Sequence, residues 1–156
     1  MGDLMTYEEL LAEADSQNII TKEKPLRAND GRIKDKHIAI RVDMTETEKC
    51  CVMAEELGHY YTTIGNILDQ STVENRKQEL KARLWAYKRL LPLDCFISAF
   101  RSGCNTLYEF ADYLNVTEAF LQDAIKRYKQ IYGTDWVRID NYAVRFCPEL
   151  AIMVVF

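Results

Sequence analysis

The chain is short of positive charge, of structure-breaking residues and of long apolar runs. Lys and Arg together number 20 against 24 Asp and Glu, a formal net charge of −4. That balance argues against a protein whose main task is to coat nucleic acid, because neutralising phosphate requires a concentrated positive field, and leaves room only for a local basic patch. No apolar run approaches the roughly 20 residues that cross a bilayer. The longest, LAIMVVF at 150–156, has the length of a strand, so no membrane partner is expected. Only three prolines and six glycines punctuate 156 residues, which excludes a low-complexity or collagen-like chain. The five cysteines (Cys50, Cys51, Cys95, Cys104 and Cys147) are odd in number and no pair has C-x-x-C spacing. A disulfide framework is therefore not expected, and reduced thiols in a cytoplasmic protein are. The N-terminus, MGDLMTYEELLAEADS, is acidic and amphipathic and does not read as a secretory signal.

What is present is an ordinary globular composition, 48% hydrophobic and 28% charged. Its length suits one domain over 1–156, with a motif-bearing part at 1–92 and a helical region ending in a hairpin at 93–156. Residues 6–15 predict a short helix, with Thr6 and Glu9 at capping-box spacing. Asn29-Asp30-Gly31 signals a turn. The alternation from Ile33 to Val42 predicts a hairpin with a tight turn at Lys34–Lys36, placing Ile38, Ile40 and Val42 on one face. Thr45 or Thr47 caps a long helix running to about residue 63, with Met53, Leu57 and Tyr60 or Tyr61 on its buried stripe. A second helix covers about 74–90, with Leu80, Leu84, Tyr87 and Leu91 as its ridge, and stops at Pro92. Three further helical segments follow, the last ending at Gly133. A turn at Asp140-Asn141 then separates two alternating runs. The predicted class is α+β, with helices in the middle and small strand pairs near both ends.

Residues 54–63 read AEELGHYYTT. With His in place of Glu55 the core would be H-E-L-G-H, the zincin signature. Positions i and i+4 of a helix share a face, so Glu55 and His59 can reach one ion. Glu56, at i+1, stands where a carboxylate can take a proton from bound water. Carboxylate oxygen is an acceptable zinc donor, although E-E-x-x-H also occurs on solvated helix faces. Cys51, four residues before Glu55, shares the ridge and reads either as core or as a donor.

The wider pattern is more specific. TETEKCCVMAEELGHYYTTIGNILDQ, followed by NRKQELKARLWAYKRLLP, resembles the ImmA/IrrE family of phage and mobile-element metallopeptidases. GRIKDKHIAIRVDMT before it and LYEFADYLNVTEAFLQDAI after it extend the resemblance over most of residues 20–130. It implies a zincin-like helical core, a zinc cofactor, and a partner repressor protein that is cut to release gene expression. Carried over by position, Glu56 matches the general base and His59 the second histidine, while Glu55 replaces the first histidine. Ala82-Arg83-Leu84-Trp85-Ala86 resembles the family's A-N-x-F-A, which puts Lys81 where an acidic third ligand is expected. A protonated amine cannot ligate zinc. Two solutions follow: Asp69 supplies the third ligand, or Lys81 pairs with Glu55 or Glu56 and stands in for the metal's charge. Glu79 is the poorer candidate, about 200° from Lys81 on an ideal helix. Peptidases of this kind add an extended peptide to a sheet edge, and His37–Val42 is the candidate edge, with Ile38, Ala39 and Ile40 as substrate-binding positions.

Two other functions compete with repressor cleavage. One is a non-catalytic interaction module on the same fold. The other is a helix-turn-helix regulator built on TLYEFADYLNVTEAFLQDAIKRY, with Gln122, Lys126, Arg127 and Lys129 on its second helix. Glu118 and Asp123 near the start of that helix would meet the bases first, so nucleic acid is not the expected partner.

Overall fold

The computed structural model describes residues 4–63 and 72–156, the side chains of residues 72 and 73 excepted. Among these residues six helices and two three-stranded sheets make an α+β fold. The chain divides into two compact units, Met5–Arg89 in one and Leu90–Phe156 together with Leu4 in the other.

In the first unit, α1 (Tyr7–Ser16) opens with the expected capping box. The Thr6 hydroxyl accepts from the Glu9 N–H and the Glu9 carboxylate accepts from the Thr6 N–H, both at 3.2 Å. Three strands follow: β1 (Ile20–Lys24), β2 (Gly31–Lys34) and β3 (His37–Arg41). Asp35, at a φ of 53°, makes the tight turn between β2 and β3. The sheet order is β1-β3-β2, with β1 parallel and β2 antiparallel to β3. This overturns the expectation that His37–Val42 is an edge. β3 is the central strand, its backbone is paired on both sides, and Ile38, Ala39 and Ile40 are buried core residues. Val42 lies beyond the strand and is 47% exposed, so it does not continue that face.

Helix α2 (Glu46–Thr62) is capped by Thr45, whose hydroxyl accepts from the Glu48 N–H at 3.1 Å. It packs on α1, β2 and β3 and buries Met53, Ala54 and Leu57. Its one buried lysine, Lys49, pairs with Glu23 of β1. Cys50 and Cys51 are both core, and burial pushes the Cys50 thiol up to about 12, the mark of an inert cysteine. Helix α3 (Thr72–Leu90) touches α2 at one very close point. Any side chain at Gly58 would run into the backbone carbonyl of Ala82. The buried line of α3 passes through Ala82, Ala86 and Leu90. Leu80, read from the sequence as part of the apolar ridge, is 48% exposed.

The second unit holds α4 (Leu93–Arg101), α5 (Leu107–Leu114) and α6 (Glu118–Tyr132), then β4 (Val137–Ile139), β5 (Tyr142–Arg145) and β6 (Ala151–Val154) in an antiparallel sheet. Thr106 and Thr117 cap α5 and α6. Asp140, at a φ of 54°, turns β4 into β5 at the expected place, and β6 adds a third strand. Phe96, Tyr128 and Phe146 form the aromatic centre, with ring centroids 5.1–6.4 Å apart. The Tyr128 hydroxyl donates to the Leu91 carbonyl at 2.9 Å, so its one polar atom is satisfied inside.

Candidate functional site

Close approach of α2 to both β2 and α3 creates a cleft of about 520 Å³ in the first unit. Gly31 of β2 lies directly over α2: a Cβ there would stand 2.5 Å from Val52 Cγ1 and 3.1 Å from Glu56 Oε1. Glycine at this position is what lets the strand cover the Glu56 side chain. On the other side, the Gly58–Ala82 contact brings the α3 side chains opposite Glu55, Glu56 and His59. Tyr61 and Trp85 stack across the same two helices, centroids 5.0 Å apart. Glu55, Glu56 and His59 all line the cleft, as do Glu79 and Arg83 of α3 and Gly31, Arg32 and Ile33 of β2.

The polar contacts run in a chain. His59 Nε2 lies 3.1 Å from Glu79 Oε2, and Arg83 Nε donates to Glu79 Oε1 at 3.0 Å. One carboxylate thus bridges an imidazole and a guanidinium. Glu56 is only 9% exposed, and burial, with the charges of Glu55 and Glu79 adding to it, pushes its carboxyl up to about 7. The cleft therefore gathers four carboxyls (Asp30, Glu55, Glu56 and Glu79), one imidazole and two guanidiniums, Arg32 and Arg83.

Lys81 does not face this cluster. It is exposed on α3, and the cation beside the carboxylates is Arg83, which sequence reasoning passed over as part of an A-x-x-x-A run. Glu79, rated the poorer candidate, is the acid that meets His59. Asp69 lies outside the described residues. Ile38, Ala39 and Ile40 sit in the central strand, and the strand that borders the cleft is β2.

These residues can be tested against a zinc ion. Two donors on one zinc, each about 2.0–2.2 Å from it, stand roughly 3.3 Å apart, so the His59–Glu79 spacing suits two corners of a tetrahedron. A catalytic zinc needs three protein donors. Among the described residues, no three His, Cys, Asp or Glu side chains are grouped closely enough to hold a metal ion. The Glu79 carboxylate is also already engaged on both oxygens, one of them by a guanidinium that cannot give up its charge. The described residues do not make the three-donor centre.

A histidine and adjacent glutamates on one helix, set beneath a strand and facing a second helix, define a metallopeptidase-like fold in which part of the metal set has changed. Residues 12–126 match the Peptidase_M78 family, the IrrE N-terminal-like domain. The chain belongs to that family, the ImmA/IrrE group of metallopeptidase-like proteins. No curated protein and no solved structure matches it. Among the described residues no helix is long and apolar enough to cross a membrane.

Proposed function

We propose that this chain captures an extended segment of a partner protein, a repressor of a phage or mobile element, along the side of β2 that pairs with no strand among the described residues and across the Glu55–Glu56–His59 cleft. The observation that carries this reading is an edge strand lying on the border of that cleft. The Arg41 N–H donates to the Asp30 carbonyl at 2.8 Å. This fixes the alternation of the antiparallel ladder: Asp30, Arg32 and Lys34 bond towards β3, and Gly31 and Ile33 turn their N–H and C=O groups outward. Both outward residues border the cleft, and an incoming peptide strand uses such groups. None of the five cysteines is in a disulfide, in keeping with a cytoplasmic setting. With no three-donor group among the described residues, the chain is read as a peptidase-like binder.

One observation favours hydrolysis as a second reading. A buried carboxyl held near 7 is suited to work as a general base at neutral pH, and Glu56 is such a group. In that reading Glu55, His59 and Asp69 are the zinc donors carried over from the sequence. DNA binding finds less support. Glu118 and Asp123 stand near the start of α6, the end that a recognition helix presents to the bases.

The test is to pan a random peptide display library against the whole chain and measure the selected peptides by fluorescence anisotropy. Ile33→Pro removes an outward N–H without removing a ladder bond to β3, and proline is tolerated on an edge strand. The expected result is a loss of affinity of about tenfold or more, one hot hydrogen-bond position's worth, with unchanged circular dichroism. Unaltered affinity would refute capture at this edge. Mass spectrometry of the same peptides after addition of zinc reports on the hydrolytic reading through the fragments formed.

A further inference from the structure

The mismatch between the family's metal centre and these residues has a specific cause in the structure. We propose that Arg83 occupies the electrostatic place of the metal: it is a built-in cation that offsets the charge of the Glu79 carboxylate and competes with a divalent ion for the His59–Glu79 pair. This rests on the reading that the cleft is the working site and concerns what governs its occupancy.

Three observations carry it. The first is contact: Arg83 Nε is 3.0 Å from Glu79 Oε1, while the other oxygen of the same carboxylate is 3.1 Å from His59 Nε2. A metal bound between His59 and Glu79 would take the carboxylate that Arg83 holds. The second is charge. Glu55 and Glu79 both act on the Arg83 guanidinium and favour its charged form, so its compensation extends beyond its own partner. The third is chemistry. A guanidinium stays protonated and offers no donor atom to a metal. Unlike a lysine or histidine in the same place, it cannot be converted into a ligand by losing a proton. The pair lies four residues apart on one helix, a spacing that holds the two side chains side by side. Arg83 is also 46% exposed, so it has somewhere to go. Displacement by a dication is a swing into solvent, with no rearrangement of the core. The arrangement is a weak-affinity device: the Glu79 carboxylate is already paired without metal, and a divalent ion takes it only by expelling the arginine.

The test is calorimetric titration of zinc, without peptide, into the full chain purified without a polyhistidine tag, comparing wild type, Arg83→Gln and Arg83→Lys. Removing one positive charge a few ångströms from a dication should tighten binding by roughly tenfold or more, even with the damping of bulk water. Arg83→Gln should therefore bind zinc at least about tenfold more tightly than wild type, and Arg83→Lys, which keeps a cation, should remain close to wild type. Adding Glu79→Gln to Arg83→Gln should abolish the gain, which ties it to the His59–Glu79 pair. Equal affinity in wild type and Arg83→Gln would overturn the proposal, as would wild-type protein that already carries one zinc per chain. A second measurement covers the case in which Arg83→Gln does not fold. In wild type, the Arg83 Nε–H resonance should shift and lose its exchange protection as zinc is added. Zinc binding that leaves that resonance unmoved would overturn the proposal equally. Peptide capture at β2 is absent from every arm, so its failure in the separate display experiment would sink the functional reading and leave this result standing on its own.

Discussion

Glu56→Gln separates the charge of the buried carboxyl from its shape. Glu56 lies under the Gly31 backbone and is only 9% exposed. Its carboxyl is pushed from 4.5 up to about 7, by burial first and by Glu55 and Glu79 next. In the unfolded chain the group loses its proton near 4.5. Between these values the folded state holds a proton that the unfolded state has released, so the native state binds more protons and its stability falls as the pH rises. The loss accumulates from about 4.5 to about 7 and is constant above that. At 1.36 kcal/mol per pKa unit the whole window is worth on the order of 3 kcal/mol.

Glutamine fills the same volume and carries no charge at any pH. The variant should match wild type near pH 4.5 and exceed it by up to about 3 kcal/mol at pH 8. Urea denaturation of both proteins at the two pH values, with a chelator present to remove metal effects, measures the difference. Two outcomes refute the reasoning. If the wild-type and Glu56→Gln profiles run parallel, Glu56 releases its proton at the same pH in the folded and unfolded states and its burial is not what the geometry says. If the variant is less stable than wild type at pH 8, the carboxylate is engaged in a favourable contact that outweighs its desolvation.

The other predictions concern the helices that frame the cleft. Gly58→Ala should destabilise the fold by about 1–3 kcal/mol, the usual cost of overpacking, because the new methyl meets the Ala82 carbonyl and this outweighs the roughly 1 kcal/mol that alanine gains in helix propensity; thermal melts read it, and a more stable variant would mean that the helices do not touch there. Lys81→Ala should change stability by less than about 0.5 kcal/mol, as for an ordinary surface residue, and a clear loss would restore the idea that Lys81 neutralises the carboxylates. Glu55→His places imidazoles at i and i+4 and should tighten zinc binding in calorimetry; unchanged affinity would show that position 55 is not a donor.

The sequence signals that worked were those with a local cause. The Thr6–Glu9 capping box, the Thr45 cap, the stop before Pro92 and the turns at Asp35 and Asp140 all depend on a few adjacent residues, and all are found. What failed was long-range. Strand β1 was not read as a strand, and with it went the order of the sheet. ITKEK carries no alternation because all but one of its side chains are exposed, so its pairing with β3 is written in backbone hydrogen bonds and hardly at all in residue type. Without β1, the apolar β3 looked like an edge, and Ala39 between two isoleucines gave no warning that both faces are covered.

The site failed and succeeded for the same kind of reason. Spacing alone put Glu55, Glu56 and His59 on one helix, but spacing on α3 says nothing until one face of that helix is anchored. The family pattern makes Lys81 the reference on α3, and Glu79 then points away from the cleft. The contact between the helices supplies a different reference: Ala82 and Ala86, both fully buried, mark the side of α3 that packs closely. At about 100° per residue, Glu79 lies roughly 20° from Ala86 around the helix and Lys81 roughly 140°. The small residues, which carry no chemistry, therefore locate the reactive face better than the motif does. Gly58 opposite Ala82 completes the rule, since only a side-chain-free position on α2 lets the backbone of α3 come so near. Two small residues on facing helices fix the approach, and the approach decides that His59 meets Glu79, that Arg83 follows it at the next turn, and that the lysine between them is left in solvent.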